Sequence, residues 1–207
     1  MPTIVDFPTV VKDALAIFGD VFDTEPARHH FAAYLTGLMV AEHKTVRGIN
    51  RACAVTTDPS CLHRWLTEVA WAVKALNDRR LEWLQGDPKT RYSARGVIAI
   101  DNTLVDHTGK LIEDVGWFWD HANDRDVIAP DYLISHYVCP SGAHYPIEWR
   151  RLKKRDACAT SECKDHTQLC IELIDDAITR GLPGDFTFDS SCTSAKVLNH
   201  IQGTKRA

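Results

Sequence analysis

Two short runs of apolar residues end in an acid. Val97-Ile98-Ala99-Ile100 leads into Asp101, and Phe186-Thr187-Phe188 leads into Asp189. The first run is largely β-branched and wholly apolar, the pattern of a central strand buried on both faces. In α/β sheets, functional groups collect at the carboxyl ends of the strands. Two acids placed there on neighbouring strands can converge on one point. Hard divalent cations such as magnesium take oxygen ligands, and a pair of carboxylates is a common anchor for them. Two such cations about 3.5–4 Å apart stabilise the attacking and leaving oxygens of a phosphodiester displacement. Taken residue by residue, a plainer use stays open, since aspartate after a strand also serves as a turn residue or helix cap.

The elements that must position these acids follow from periodicity. Val11, Leu15, Phe18 and Phe22 repeat at helical spacing, and a second helix begins after Pro26 with Phe31, Tyr34, Leu35, Leu38 and Met39 as its apolar stripe. Residues 44–53 form a short third segment with Val46 and Ile49 inward and Lys44, Arg47 and Arg51 outward. Asp58-Pro59 is a strong helix start. From it, Leu62, Trp65, Leu66, Val69, Val73 and Leu76 predict one long amphipathic helix that ends by Gly86-Asp87-Pro88. After Gly96 the pattern changes. The order becomes the strand of Val97–Ile100 closed by Asp101, a hairpin of Asp131–Val138 and His144–Trp149 around Pro140-Ser141-Gly142, and a helix over Lys164–Arg180. A second short strand, Asp185–Asp189, and a helix over Ser194–Ile201 complete it. The fold class is α/β: a helical domain over residues 1–90, then a mixed sheet with flanking helices over 91–207.

Other residues invite weighing. Arg150, Arg151, Lys153, Lys154 and Arg155 form a cationic run with no acid inside it, suited either to a nucleic-acid backbone or to a solvated loop. Lys44, Arg47 and Arg51 offer a second basic face. Thr103, Asp106 and His107 follow Asp101 closely and either line its site or merely turn the chain. Trp117, Phe118 and Trp119 suit a packed core and hairpin better than stacking on bases. Cys158, Cys163, His166 and Cys170 are soft ligands, but no CxxC pair is present, and buried thiols with one surface histidine are the preferred reading. Cys139 and Cys192 lack any nucleophile signature.

Composition bounds the answer. The chain has 207 residues, 44% hydrophobic and 25% charged, which suits one or two folded domains and excludes a disordered or low-complexity chain. No apolar run approaches the roughly 20 residues that span a bilayer, and the N-terminus shows no signal-peptide pattern. Seven cysteines without a secretion signal are expected as reduced thiols in a cytoplasmic protein. A net charge of −4 does not mark an obvious nucleic-acid binder.

Three segments together resemble a known family. GVIAIDNTLVDHTGK (96–110), DYLISHYVCPSGAHYPIEWRRLKKR (131–155) and GDFTFDSSCTSAKVLNHI (184–201) look like the catalytic domain of insertion-sequence DDE transposases, nucleases with an RNase H-like fold. ARHHFAAYLTGLMVAEHKTVRGINRA (27–52) is similar to the helical region that precedes that domain. The resemblance implies that Asp101 and Asp189 are the first and second metal-binding and catalytic carboxylates, holding Mg2+ or Mn2+ for attack on DNA. It favours DNA contacts for Arg150, Arg151, Lys153, Lys154 and Arg155, and allows them for Lys44, Arg47 and Arg51, where a purely structural helical bundle is the other reading. Transposon ends are the implied partner, with self-association open and no membrane. It also implies a third acid, a Glu on a later helix. The 18 residues after Asp189 contain no Asp or Glu, and Glu113 and Asp114 precede the hairpin on the wrong element. The expectation is therefore an incomplete, C-terminally truncated domain that is inactive alone. The alternative is a non-catalytic DNA-binding or oligomerising fragment that inhibits an intact transposase. Ser191 and Cys192 stand where the family often has aromatics, so weaker local packing is expected there.

Overall fold

The computed structural model describes residues 5–53, 58–69, 71–105, 114–120, 123–153, 163–190 and 192–204. Asp106, His107, Glu113, Lys154, Arg155, Cys158 and Ser191 lie outside them. The chain divides into two compact units, Met1–Leu84 and Gln85–Ala207.

The first unit is helical: α1 (Thr9–Phe18), α2 (Glu25–Val40), α3 (Val46–Ala52), α4 (Pro59–Thr67) and α5, which begins at Val73 and runs to Gln85. Side-chain caps start three of them. Thr24 accepts from the Ala27 N–H, Thr45 from the Gly48 N–H and Asp58 from the Ser60 N–H, each satisfying a donor that the first turn leaves open. Phe22, Phe31, Ile49, Leu62 and Trp65 form the core. The single long helix expected from Leu62 to Leu76 is instead two helices, α4 and α5. The Trp71 indole folds back on Trp65, with ring centroids 4.3 Å apart, and donates its N–H to the Trp65 carbonyl at 3.1 Å. Burying two indoles against Phe22 outweighs helix continuity, and Val69 and Val73 are left exposed.

The second unit is built on a four-stranded sheet in the order β5-β4-β1-β6. Its strands are β1 (Val97–Leu104), β4 (Asp131–Val138), β5 (His144–Leu152) and β6 (Asp185–Phe188). The strands β1, β4 and β5 form an antiparallel meander, and β6 joins β1 in parallel. The crossover that a parallel neighbour requires is α6 (His166–Thr179), and α7 (Ala195–Thr204) follows β6. Asp165 and Gln168 close α6 with a reciprocal capping box. Ile100, Leu133, Leu169, Leu173, Ile174 and Val197 make the core, so α6 and α7 cover one face of the sheet. The alternation of β4, buried at every odd residue from Asp131 to Tyr137, follows from that cover on one side only. This is the mixed α/β arrangement with N-terminal helices that the sequence predicts.

Two features were not anticipated. A separate two-stranded hairpin, β2 (Gly116–Asp120) and β3 (Arg125–Ala129), precedes β4. Its alternation leaves Trp117 and Trp119 exposed rather than in the core. Asp101, expected to close its strand, is the fifth residue of an eight-residue β1. The ladder to β4 continues to Leu104, opposite Asp131, whereas β6 stops at Phe188, opposite Ile100.

Gly184 admits β6 to the sheet. Its φ is +123°, and a Cβ there would lie 2.3 Å from the Gly96 carbonyl oxygen at the entry to β1. Gly184→Ala is expected to destabilise the protein by about 1–3 kcal/mol from backbone strain, and further through the clash. Gly142→Ala, at φ +88° with nothing within 4 Å, carries only the strain. Equal denaturation midpoints for the two variants would refute the close approach.

Candidate active site

The parallel pair aligns the two acids. Ile100 lies opposite Phe188; Asp101 is the next residue of β1, and Asp189 is the first residue after β6. Adjacent strands are about 4.8 Å apart, and side chains in register share a face. Ile100 and Phe188 pack toward the helices, so alternation sends Asp101 to the opposite face; Asp189 follows the end of β6, and both acids are exposed.

Each carboxylate is held by a backbone donor. The Asn102 N–H donates to Asp101 Oδ1 at 2.8 Å. The Cys192 N–H donates to Asp189 Oδ1 at 3.4 Å, and the Thr193 hydroxyl donates to the Asp189 carbonyl at 2.8 Å. This turn is anchored from below. Cys192 is fully buried in the core, against the looser packing expected there, and its thiol is hydrogen-bonded to that of Cys170. That bond and burial push the Cys170 thiol well up. Cys170 is therefore an inert core group.

His136, which the sequence reading missed, stands on the same face one strand away. It lies opposite Ala99, two residues before Asp101. Burial and the neighbouring His144 hold its imidazole below the usual range, while Asp101 acts in the opposite direction. Strand alternation in DYLISHYV was the signal available for it. Asp131 and His166 form a second polar pair on the helix-covered face: Asp131 is 2% exposed, and its Oδ2 lies 2.9 Å from His166 Nε2 at the start of α6.

The basic residues divide by environment. Lys44, Arg47 and Arg51 are exposed, in or just before α3 of the helical unit. Arg150 is taken up by acids, pairing with Glu172 at 3.3 Å, with Glu148 at 3.8 Å and with Asp176. It pins β5 to α6. The spacing of Glu172 and Asp176, one helical turn apart, was a legible sign of such a clamp. Arg151 pairs with Asp114 at 3.5 Å and lies 5.7 Å from the centre of the Tyr132 ring. Lys153 is exposed just past β5.

Among the described residues, no group of three or more His, Cys, Asp or Glu is placed to hold a metal ion. The soft-ligand cluster weighed for zinc is not assembled among them: His166 turns to Asp131 and Cys170 to Cys192. Cys163 is disulfide-bonded, a correction to the expectation of thiols throughout. What the β1–β6 edge does offer is a pair of exposed carboxylates, a donor set suited to a hard divalent cation.

The family comparison bears on the same elements. Residues 18–201 match the DDE superfamily endonuclease family, spanning both the helices and the sheet. The chain belongs to the DDE superfamily endonucleases. No curated protein and no solved structure matches it. As a DDE endonuclease it is a transposase-type nuclease of a family whose substrate is DNA. Among the described residues, no helix is long and apolar enough to cross a membrane.

Proposed function

We propose that Asp101 and Asp189 hold Mg2+ or Mn2+ on the open face of the sheet and that a DNA phosphodiester is attacked there. The parallel register of Ile100 with Phe188, one residue before each acid, supports this reading. A bound divalent cation supplies charge stabilisation to the attacking and leaving oxygens. The protein fixes both carboxylates through the Asn102 and Cys192 N–H groups, so neither must reorganise when charge develops. Strand cleavage and transfer require a further acidic ligand beside these two. The direct test is Mn2+ binding by Asp101→Asn and Asp189→Asn, in which retained wild-type affinity would remove the proposal.

Exposed Lys44, Arg47 and Arg51 of the helical unit and exposed Lys153 of the sheet unit are the residues we expect on DNA phosphates, while Arg151 is paired with Asp114. Neutralising a phosphate releases counterions, so affinity for a short duplex should fall steeply between about 50 and 200 mM salt. Each phosphate contact removed lowers the log–log slope by about 0.9. The combined change of Lys44, Arg47 and Arg51 to alanine is expected to flatten it. Arg150→Ala is expected to leave the slope unchanged, because its charge is already engaged by Glu172 and Asp176. A slope insensitive to the triple change would take DNA contact away from α3.

A further inference from the structure

The register of the sheet extends the carboxylate pair into a row. Asp101 lies opposite Ile134, and Ile134 lies opposite Trp149. The row crosses β1, β4 and β5 on one face, and Asp189 follows the end of β6, the strand on the other side of β1. The irregularity in the β4–β5 ladder falls beyond it, between Ser135 and His136. Trp149 thus stands two strand spacings from Asp101, about 10 Å away.

Trp149 is an exposed indole on a rigid mount. It is 51% exposed on the edge strand β5. Its ring meets Tyr132 edge to face, with centroids 5.5 Å apart and planes at 72°. Its backbone N–H donates to Glu148 Oε1 at 3.3 Å, and its backbone carbonyl accepts from Arg150 at 2.9 Å. Alternation along the same strand puts Arg151, paired with Asp114, next on this face, and continues to exposed Lys153 just beyond it. An aromatic plane followed by an exposed cation, about 10 Å from a carboxylate, is chemistry that holds single-stranded nucleic acid: the ring takes a base and the cation a phosphate.

We propose that Trp149 is a stacking platform for an unpaired DNA base close to the phosphodiester held at Asp101 and Asp189. The inference rests on that assignment of the carboxylates. At about 3.4 Å per stacked nucleotide, 10 Å places the base within about three nucleotides of the reacting phosphate. The DNA recognised here is locally unpaired, and the edge strand β5 carries that selectivity.

Binding of an oligo(dT) single strand and of a blunt duplex, followed by fluorescence anisotropy without divalent metal, tests it. Trp149→Ala is expected to weaken oligo(dT) binding roughly 5- to 100-fold, and Trp149→Phe to keep most of it, because any aromatic plane stacks. Both variants should leave duplex affinity within about twofold, since duplex binding is set by phosphate contacts. Equal oligo(dT) affinity in wild type and Trp149→Ala overturns the proposal. So does an equal loss on both probes, which marks a structural effect. Duplex binding by the wild type without oligo(dT) binding overturns the stacking site and leaves the DNA reading intact. Failure of the wild type on both probes removes both.

Discussion

Asp101→Asn or Asp189→Asn is expected to lower Mn2+ affinity at least about 100-fold. Altering groups that merely orient metal ligands already costs 10- to 100-fold, and these residues are the ligands themselves. An amide keeps the shape of the carboxylate but loses the charge that a hard cation seeks. Water-proton relaxation or calorimetry reads the loss. A second signature separates this from damage to the fold. Without metal, two carboxylates side by side on adjacent strands repel, and like charges so placed are destabilising by about 0.2–1 kcal/mol. Each single asparagine variant should therefore unfold slightly later than wild type in chelator. In excess Mn2+ the order reverses, because only the wild type gains stability from a ligand that binds the folded state. Variants less stable than wild type in chelator would show instead that these acids are structural turn residues.

The buried Asp131–His166 pair is expected to produce the second large effect. Asp131 Oδ1 has no hydrogen-bond partner, so His166 at 2.9 Å from Oδ2 is the carboxylate's polar support. Removing one member of a buried pair leaves an uncompensated charge, at about 3–5 kcal/mol. Here about 2–3 kcal/mol is expected for His166→Ala, since the imidazole is partly exposed and water can replace some of it. The effect depends on pH with a definite sign. The hydrogen bond to Asp131 raises the His166 pKa above its usual value, against the opposing effect of burial. The imidazolium's contribution is therefore fully present below the unfolded value near 6.5 and is lost as pH rises through the raised folded value. The stability gap between wild type and His166→Ala in urea should be largest near pH 5.5 and shrink toward pH 8. In Asp131→Asn, the His166 ring should titrate lower than in wild type by NMR. A gap independent of pH would show that His166 acts by packing alone.

The sequence was most informative where structure is local. A period-two pattern belongs to its own segment, so Asp131–Val138 was readable end to end and Asp185–Phe188 nearly so. The helical stripe read from Lys164 to Arg180 matched α6 to within two residues at its start and one at its end. The failures lie where distant residues intervene. The helix after Pro59 breaks because Trp71 finds Trp65 and Phe22, a gain invisible in the stripe itself. Asp101 falls inside β1 because β4 outlasts β6 as a partner, and partner length is not written in VIAI. Residues 150–155 read as a uniform cationic run, yet Arg150 faces the acids of α6 and Lys153 faces solvent.

The amino-acid sequence alone determined the two short strand segments that lead into Asp101 and Asp189, the α/β class with helices first, and the resemblance that the family match bears out. These depend on residue type and short-range period. The tertiary structure decided which face carries the acids and which cations remain available. It also decided that Asp101, Ile134 and Trp149 stand in one line. Register between strands far apart in the chain is set by the core of Ile100, Leu133 and Leu173 packing under them. A slip of one residue would have turned Asp101 or Asp189 into that core instead of out to the open face.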